Sequence, residues 1–400
     1  MPTGQLHTDT LTHPDVFITG GGPAGLAAAI AAAQHGLSVH VADGMAPPID
    51  KACGEGLMPD TLEALTHLGI SPQALAQTES HPFRGIRFLA TNRAGIRTTT
   101  QANFPIGEGR GMRRTLLHQL LIDRATALGV HFSWQTVVQA MEAGQGSAHS
   151  TIRTNHHTIH PRFILGADGH QSRIRAWAHL DRASITARRI GLRQHFALAP
   201  WSPYVEVYWS DHGQAYVTPI GPNEICVAFI AHRKHASIAE ALAHFPELHH
   251  RLASALPTNT PRGSITLSRK LHRVTRHNVA LIGDASGSVD AVTGEGLGLC
   301  FRQALALGDT LREAIQAPAS DNPLVSYQQA HLALQKLPHF MARTMLLLDS
   351  SPHLRNRTLT VLQRHPHFFE HMLRVHVGQA PIRLFGSTGL LATGAHLILG

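Results

Sequence analysis

A glycine-rich turn near the start of the chain constrains the fold more than any other feature. Residues 15–43 read DVFITGGGPAGLAAAIAAAQHGLSVHVAD: a short apolar strand, a glycine turn, an alanine-rich helix and a second strand. Gly20, Gly22 and Gly25 give the spacing GxGxxG. The first glycine allows the tight turn, the second lets backbone amides approach a pyrophosphate, and the third lets the helix pack on the strand. The helix N-terminus adds partial positive charge. This βαβ unit predicts a Rossmann-like, dinucleotide-binding domain.

Asp43 ends the second strand, about 20 residues after the glycines. An acid at this position binds ribose hydroxyls in dinucleotide sites, and we expect Asp43 to do so. An ordinary turn-forming aspartate after a strand is the alternative interpretation.

The composition is that of a globular chain. Of 400 residues, 43% are hydrophobic and 15% charged, enough for two or three closely joined subdomains. The net charge is +8 but is spread along the chain, so we expect no nucleic-acid partner. The N-terminus lacks a signal-peptide pattern, and the apolar runs are shorter than the ~20 residues of a membrane span. Cys53, Cys226 and Cys300 lie far apart without a CxxC pair, which predicts a reducing, cytoplasmic location.

The order of the remaining patterns predicts an α/β (α+β two-domain) fold in which the domains are interleaved. Short alternating runs between 190 and 231 indicate an antiparallel sheet, and helical patterns dominate from 295 onward. We predict a discontinuous cofactor domain of residues 10–80, 108–182 and 272–320. Residues 81–107 and 183–271 are expected to form an antiparallel-sheet substrate domain, and residues 321–400 a C-terminal helical region.

Two later stretches identify the dinucleotide. ILGADGHQSRIR, residues 164–175, is an apolar strand that runs into Asp168 and then a helix; ALIGDASGSVDAVTGEGLGLCFRQAL, residues 280–305, is a strand, Asp284, a glycine bend and a helix. With the opening glycines, these stretches resemble the three ordered motifs of the para-hydroxybenzoate hydroxylase superfamily of FAD enzymes. The resemblance spans nearly three quarters of the chain and implies noncovalent FAD in a Rossmann-like domain.

The resemblance also implies roles for individual residues. Asp284 is expected to bind the FAD ribitol, and the turn of Gly294 and Gly296 to direct helix amides at the flavin's pyrimidine edge. Asp168 is expected near the FAD and the pyridine nucleotide. Arg114 matches an arginine that such enzymes place against FAD, with Arg113 beside it; a solvated helix start is the alternative for both arginines. One departure is Ala291, which stands where the family usually has a proline before the bend.

The stretch KACGEGL, residues 51–57, is similar to a loop found in one subgroup of this superfamily. Geranylgeranyl reductase-like proteins carry a Cys-Gly-Gly version, and hydroxylases of phenolic or polyketide-derived natural products often carry CGEGL. The resemblance implies that Cys53 and Gly54 lie beside the isoalloxazine and the substrate. No basic residue or histidine adjacent in sequence would make Cys53 a thiolate, so we favour a pocket-lining cysteine over a catalytic one.

The resemblance favours an FAD-dependent monooxygenase that hydroxylates a small apolar aromatic substrate with O2, through a flavin C4a-hydroperoxide. NAD(P)H is expected as a transient reductant, since the sequence has no second strand-GxGxxG-helix unit. His195 and Tyr216 carry hydrogen-bonding tips on apolar strands and are our candidates for holding or deprotonating a phenol. A structural His195 and a wall-forming Tyr216 are the alternatives.

The alternative function is an FAD-dependent reductase of isoprenoid C=C bonds. That group typically has a YxWxFP segment, whereas residues 214–219 here read QAYVTP. A non-enzymatic flavin-binding protein is a third class. The stretch HFFEH, residues 367–371, has the HxxEH form of a zinc site, but it has no identifiable third ligand and we predict no metal.

The apolar end of the chain leaves one question open. Residues 340–348 and the tail LLATGAHLILG, residues 390–400, could roof the substrate channel or seat the protein on a membrane surface. We favour packed helices, because the basic residues do not form one clear face. Deleting residues 390–400 is expected to change stability or substrate binding more than FAD content.

Overall fold

The computed structural model describes residues 11–91, 97–146, 148–231, 237–317 and 320–380. The strands in these ranges are β1 Val16–Thr19, β2 Val39–Asp43, β3 Gly56–Leu57, β4 His81–Phe83, β5 Gly85–Thr91, β6 Arg97–Asn103, β7 Gly109–Gly111, β8 His131–Trp134, β9 Val138–Glu142, β10 Thr151–Thr154, β11 Thr158–Ile159, β12 Phe163–Gly166, β13 Ala183–Ala197, β14 Tyr204–Ser210, β15 Gly213–Gly221, β16 Glu224–Ala231, β17 Leu256–Pro257, β18 Arg262–Leu271, β19 Thr275–Arg276, β20 Val279–Leu281 and β21 Gly287–Ser288. The α-helices are α1 Pro23–Gln34, α2 Pro59–His67, α3 Pro72–Gln77, α4 Arg114–Ala127, α5 Arg173–Trp177, α6 Ile238–Leu242, α7 Pro246–Leu252, α8 Gly296–Gln316, α9 Val325–Leu334, α10 Lys336–Ser350, α11 Pro352–Arg364 and α12 Pro366–His376. Two 3₁₀ turns span Gly283–Ser286 and Ala291–Thr293.

The glycine turn belongs to a mostly parallel sheet in the order β19-β20-β12-β1-β2-β8. Val16 of β1 lies between Val39 of β2 and Phe163 of β12 in parallel register. Strands enclosed by helices on both faces are largely apolar, as β20 is throughout and β1 is until its last residue, Thr19. Helix α1 packs closely against α8: a Cβ added to Gly308 would lie 2.9 Å from the Cβ of Ala31. The predicted Rossmann-like fold is thus confirmed.

The second large sheet has the order β21-β18-β13-β16-β15-β14-β5-β6, with β17 paired to β13. Side chains alternate between its faces. The outer face packs on α6 and α7 through residues such as Val217, Val227 and Phe229. We call the opposite side the inner face; it carries the sequence-predicted Tyr216 and His195, two strands apart.

The C-terminal helices cover one half of the inner face. A buried cluster joins Phe88 and Trp209 of the sheet to Leu359 of α11 and to Phe369 and Leu373 of α12. The other half of the inner face is polar and meets the CGEGL loop. The helical C-terminal region predicted from sequence is therefore present as far as residue 380, and the tail of residues 390–400 lies outside the described residues.

Helix α10 contains the apolar run around residue 345. Phe340 and Leu347 are 48% and 57% exposed, whereas Met341 and Leu348 face the core. Within the ranges given above, none of the helices combines the length and apolar character needed to cross a bilayer.

Candidate active site

The glycine turn has the geometry of a pyrophosphate cradle. Gly20 adopts φ +110°, which L residues rarely adopt, and a Cβ on Gly25 would lie 1.9 Å from the carbonyl oxygen of Gly20. A Cβ on Gly22 would meet no heavy atom within 4 Å, although Gly22 is the N-cap of α1. The turn therefore needs Gly20 and Gly25 for its own structure, whereas Gly22 leaves open space in front of a helix N-terminus.

Asp43 lies where sequence predicted it, at the end of β2. Its Oδ2 accepts a hydrogen bond of 2.7 Å from the N–H of Gly21, and its Oδ1 accepts one of 2.8 Å from Met45. These bonds fix the carboxylate beside the glycine turn, and the side chain stays partly exposed. Its predicted bond to the ribose remains a prediction.

The two aspartates of the later motifs also lie at strand ends of the parallel sheet. Oδ2 of Asp168 accepts hydrogen bonds from the N–H groups of Arg173 and Ile174, while its buried Oδ1 is unpaired among the residues described. The carboxylate of Asp284 is 55% exposed and lies 3.3 Å from Nε2 of His170. Asp168 thus caps α5 with one oxygen, and both carboxylates keep an oxygen for a ligand.

Adjacent arginines at the start of α4 point to different partners. Arg113 forms an ion pair with Glu224 of β16, its Nε 2.7 Å from Oε2. Burial alone raises the pKa of Glu224, but the bonds from Arg113 and Thr258 lower it below its usual range. Arg114 has a buried Nε that is unpaired in the described part of the chain. Arg113 therefore joins the start of α4 to the second sheet, whereas Arg114 has an unpaired donor that a ligand can bind.

The CGEGL loop contains the feature that sequence reasoning missed. Glu55 is 2% exposed and adopts φ +60°, a conformation that glycine would adopt without strain. Its Oε2 lies 2.6 Å from Nε2 of His195, and its Oε1 accepts a hydrogen bond of 3.0 Å from the N–H of Arg114. The acid between two glycines is thus explained by its side chain, which ties the loop to the inner face.

Asn259 fixes the tautomer of His195. The Asn259 Oδ1 accepts a hydrogen bond from the His195 N–H, so its Nδ2 faces and donates to Nδ1 of the same ring. Nδ1 is therefore an acceptor, and the proton is on Nε2, which donates to Glu55 at 2.6 Å. Nη1 of Arg193, itself only a donor, lies farther from Nε2, at 3.3 Å, and does not outweigh the carboxylate. Both ring nitrogens of His195 are engaged, and the ring is 2% exposed. This geometry favours the structural interpretation of His195; its catalytic role stays a prediction.

Tyr216 is also engaged. Its hydroxyl lies 2.8 Å from the carbonyl oxygen of Val292 and contacts the side chain of Gln214. Burial raises the pKa of the Tyr216 phenol. Nearby, the fully buried Arg189 joins Asp290 to Asp349 of α10. These contacts hold the bend that contains Ala291, where the family usually has a proline.

Cys53 is half-buried, and burial raises the pKa of its thiol, with the nearby Arg114 charge acting in the opposite direction. A thiol at neutral pH is a poor nucleophile. The Sγ of Cys226 lies 3.7 Å from the Cys53 carbonyl oxygen, so two cysteines that are distant in sequence meet at the loop.

We predict that Cys53→Ala keeps its FAD and at least roughly a tenth of wild-type turnover, because no protein nucleophile is required. Flavin absorbance after gel filtration and steady-state rates measure both quantities. Complete loss of product with FAD still bound contradicts the pocket-lining role.

One group among the described residues has the composition of a metal site. Glu55, His195 and Cys226 are all buried, with ligand atoms within 4.8 Å of one another. However, Nε2 of His195 carries the proton that a metal would displace, and Arg193 places a positive charge 3.7 Å from Glu55. A hydrogen-bonded network accounts for this group. The HxxEH residues 367–371 lie on α12 and form no such cluster there.

The residues present fit FAD. Open space lies beside three glycines at the strand ends and loops, Gly22, Gly54 and Gly296, where a Cβ would meet no heavy atom within 4 Å. Gly294 adopts φ +70° and turns the chain into α8. Glycine faces that are open to a ligand, together with the unpaired donor of Arg114, are the features that close approach of a flat cofactor requires.

The fold and this site define an FAD-dependent oxidoreductase. The chain belongs to the family described as FAD binding domain, which matches residues 13–337, and this confirms the resemblance and the FAD cofactor. The menaquinone reductase of Mycolicibacterium smegmatis is 26% identical over 72% of this chain and 73% of its own. Digeranylgeranylglycerophospholipid reductase 1 of Methanopyrus kandleri is 26% identical over 76% and 81%. A flavoprotein/dehydrogenase from Cytophaga hutchinsonii shares the fold, with a TM-score of 0.77 over 91% of this chain and 92% of that chain at 18% identity.

Proposed function

We propose that this enzyme is a monooxygenase that hydroxylates an apolar phenolic substrate of polyketide type, with NAD(P)H and O2. The mixed character of the inner face is the observation that carries the proposal. The rings of Phe88, Trp209 and Phe369 stack at 5.1 and 5.0 Å, with planes within 16° of parallel. Gln214 and Tyr216 place polar side chains on the same face, where they bond to each other and, through the Tyr216 hydroxyl, to the carbonyl oxygen of Val292. These rings are buried against one another and close one end of the inner face, next to its polar half. An apolar border beside a polar surface suits an aromatic ring that carries oxygen substituents.

FAD, once reduced by NAD(P)H, supplies the oxygen-transfer chemistry when bound. The chain has to hold the substrate ring, exclude water and move protons. The apolar cluster formed by the inner face with α11 and α12 excludes water from one side. The Glu55–His195 bond holds the CGEGL loop, and with it Gly54, in a fixed position above the sheet.

We expect the holoenzyme to convert 3-pentadecylphenol, in the presence of NAD(P)H and air, to a product heavier by one oxygen atom. The oxygen should come from ¹⁸O2, because the reaction draws it from dioxygen and not from water. Mass spectrometry of the product measures both. Oxidation of NAD(P)H without any oxygenated product from a panel of such phenols contradicts hydroxylation.

A second candidate is reduction of a C=C bond in an isoprenoid chain. It is favoured by the names of the two curated relatives and by Cys53, whose thiol stays protonated and could donate a proton. Mass spectrometry also tests this second candidate. If the enzyme is a reductase, an anaerobic incubation with NAD(P)H and a geranylgeranyl substrate gives a product heavier by two hydrogens. Oxygen dependence of product formation separates the two candidates.

A further inference from the structure

A buried acid and a buried histidine meet beside the bend at the start of α8. The side chains of Glu295 and His376 are 4% and 10% exposed, and Oε1 of Glu295 lies 3.5 Å from Nδ1 of His376. Within the ranges described, neither carboxylate oxygen nor this ring nitrogen makes a hydrogen bond of ordinary geometry. The buried hydroxyl of Thr293 lies close enough to act on the Glu295 carboxylate as a weak hydrogen-bond donor, but it too has no well-aligned partner. Buried polar atoms are nearly always paired. Several unpaired atoms in one place indicate a site for a polar group of a ligand.

This cluster adjoins the surface that the flavin is expected to contact. Glu295 stands between Gly294, which adopts φ +70°, and Gly296, which has open space where a Cβ would be. On the other side, a Cβ on Gly294 would lie 3.5 Å from Met58, which follows the CGEGL loop. The acid is thus placed between the flavin-facing bend and the loop that borders the substrate region.

The charges around Glu295 come from three helices. Asp60 of α2 and Arg302 of α8 form an ion pair with each other, and His376 is the last residue of α12. Burial raises the pKa of Glu295 and Asp60 raises it further, while His376, Arg302 and the hydroxyl of Thr293 act in the opposite direction. A carboxyl group with a raised pKa can exchange a proton closer to neutral pH than an exposed one can.

We propose that Glu295 accepts the proton of the substrate's phenol hydroxyl and that His376 carries it towards solvent. This proposal rests on the proposed function and names the base for it. The phenol O–H bond breaks, its electron pair stays on the phenol oxygen, and the proton bonds to a Glu295 carboxylate oxygen. His195 and Tyr216 have their polar atoms in hydrogen bonds elsewhere, whereas Glu295 and His376 face each other at 3.5 Å without a hydrogen bond of ordinary geometry. A phenolate is the electron-rich form of the ring that an electrophilic oxygen attacks.

The test uses 4-nitrophenol, whose ionisation is visible, with the oxidised holoenzyme and no NAD(P)H. In wild type the ionised Glu295 is expected to hold the proton of the probe's hydroxyl and to oppose a second negative charge beside it. Glu295→Gln should therefore lower the apparent pKa of the bound probe by roughly one unit or more, a tenfold change in the proton equilibrium. His376→Gln removes a group that can carry positive charge and should raise it. Difference absorbance across a pH series measures the shift.

Two exposed residues on α12 provide matched controls: His367→Gln and Glu370→Gln make the same chemical changes without touching the cluster. In both variants the bound 4-nitrophenol should ionise with the same apparent pKa as in wild type. If Glu295→Gln binds the probe with unchanged ionisation, Glu295 is not the base. If the wild-type holoenzyme neither binds 4-nitrophenol nor hydroxylates any phenol, the proposed function itself fails.

A second measurement separates a free acid from a structural ion pair. Because burial raises the folded-state pKa of Glu295 above its unfolded value, wild type loses stability as pH rises through the interval between the two values. Glu295→Gln removes that loss, so its stability relative to wild type should increase as the buffer changes from acidic to mildly alkaline. A thermal midpoint below that of wild type in neutral buffer, with no gain at higher pH, would show that Glu295 is a charged partner of His376 and would overturn the proposal.

Discussion

Gly22→Val is expected to fold and to lose FAD. Gly22 has φ −73° and ψ 177°, an extended conformation that valine adopts without strain, and a Cβ there meets no heavy atom within 4 Å. The added methyl groups instead occupy the space through which the pyrophosphate approaches the N-terminus of α1. We expect FAD affinity to fall by roughly a hundredfold or more, since each tenfold corresponds to about 1.4 kcal/mol. Flavin absorbance and equilibrium titration of the apoprotein with FAD measure the loss.

Gly25→Ala is the contrasting variant. Its Cβ would lie 1.9 Å from the carbonyl oxygen of Gly20, so the turn itself has to move. We expect this variant to lose FAD together with folded structure, seen as insolubility or a lower thermal midpoint of the apoprotein. Gly22→Val should keep the midpoint of wild-type apoprotein. Full FAD occupancy in Gly22→Val contradicts the position that we assign to the pyrophosphate.

The parts of the site that sequence could predict are local in the chain. The roles of Gly20, Gly22 and Gly25 follow from spacing within one turn, because a tight strand-to-helix connection fixes the geometry of its own residues. The positions of Asp168 and Asp284 were predictable in the same way, since each lies two or three residues after a strand of the parallel sheet; their contacts to FAD remain predictions. In such motifs the strand, turn and helix that position the functional residues are adjacent in sequence, so the sequence alone predicts their geometry.

The missed parts depend on partners that are far apart in sequence. Glu55 meets His195 across 140 residues, and Arg113 meets Glu224 across 111. No spacing rule reports such a pair, because the register of β13 and β16 against the loop is decided by the packing of the whole sheet. The sequence did contain one indication for Glu55, a charged residue between two glycines. A third glycine would suit the backbone conformation better, so the glutamate indicates a role for its side chain. Glu295 sits in the same kind of Gly-Glu-Gly context.

Glu55→Ala is expected to be the most destabilising single change at the loop. It leaves the proton of His195 Nε2 and the N–H of Arg114 without their acceptor, and it leaves the buried Arg193 with less negative charge nearby. Breaking a buried ionic or hydrogen-bonded pair by removing one partner costs about 3–5 kcal/mol. Urea unfolding of the holoenzyme should show this loss, together with weaker FAD retention, because Gly54 is no longer held.

Two further variants show whether the bond to His195 is responsible. In Glu55→Gln the amide oxygen can still accept from Arg114, but the amide N–H₂ then faces the protonated Nε2 of His195, and Asn259 prevents the ring from changing tautomer. Two donors facing each other leave one bond unmade, so we expect an intermediate loss of about 1–3 kcal/mol. Glu63→Ala, on the exposed face of α2, should change stability by less than about 0.5 kcal/mol. Equal stability of Glu55→Gln and wild type would mean that the imidazole proton is on Nδ1, and the hydrogen-bond assignment through Asn259 would then be wrong.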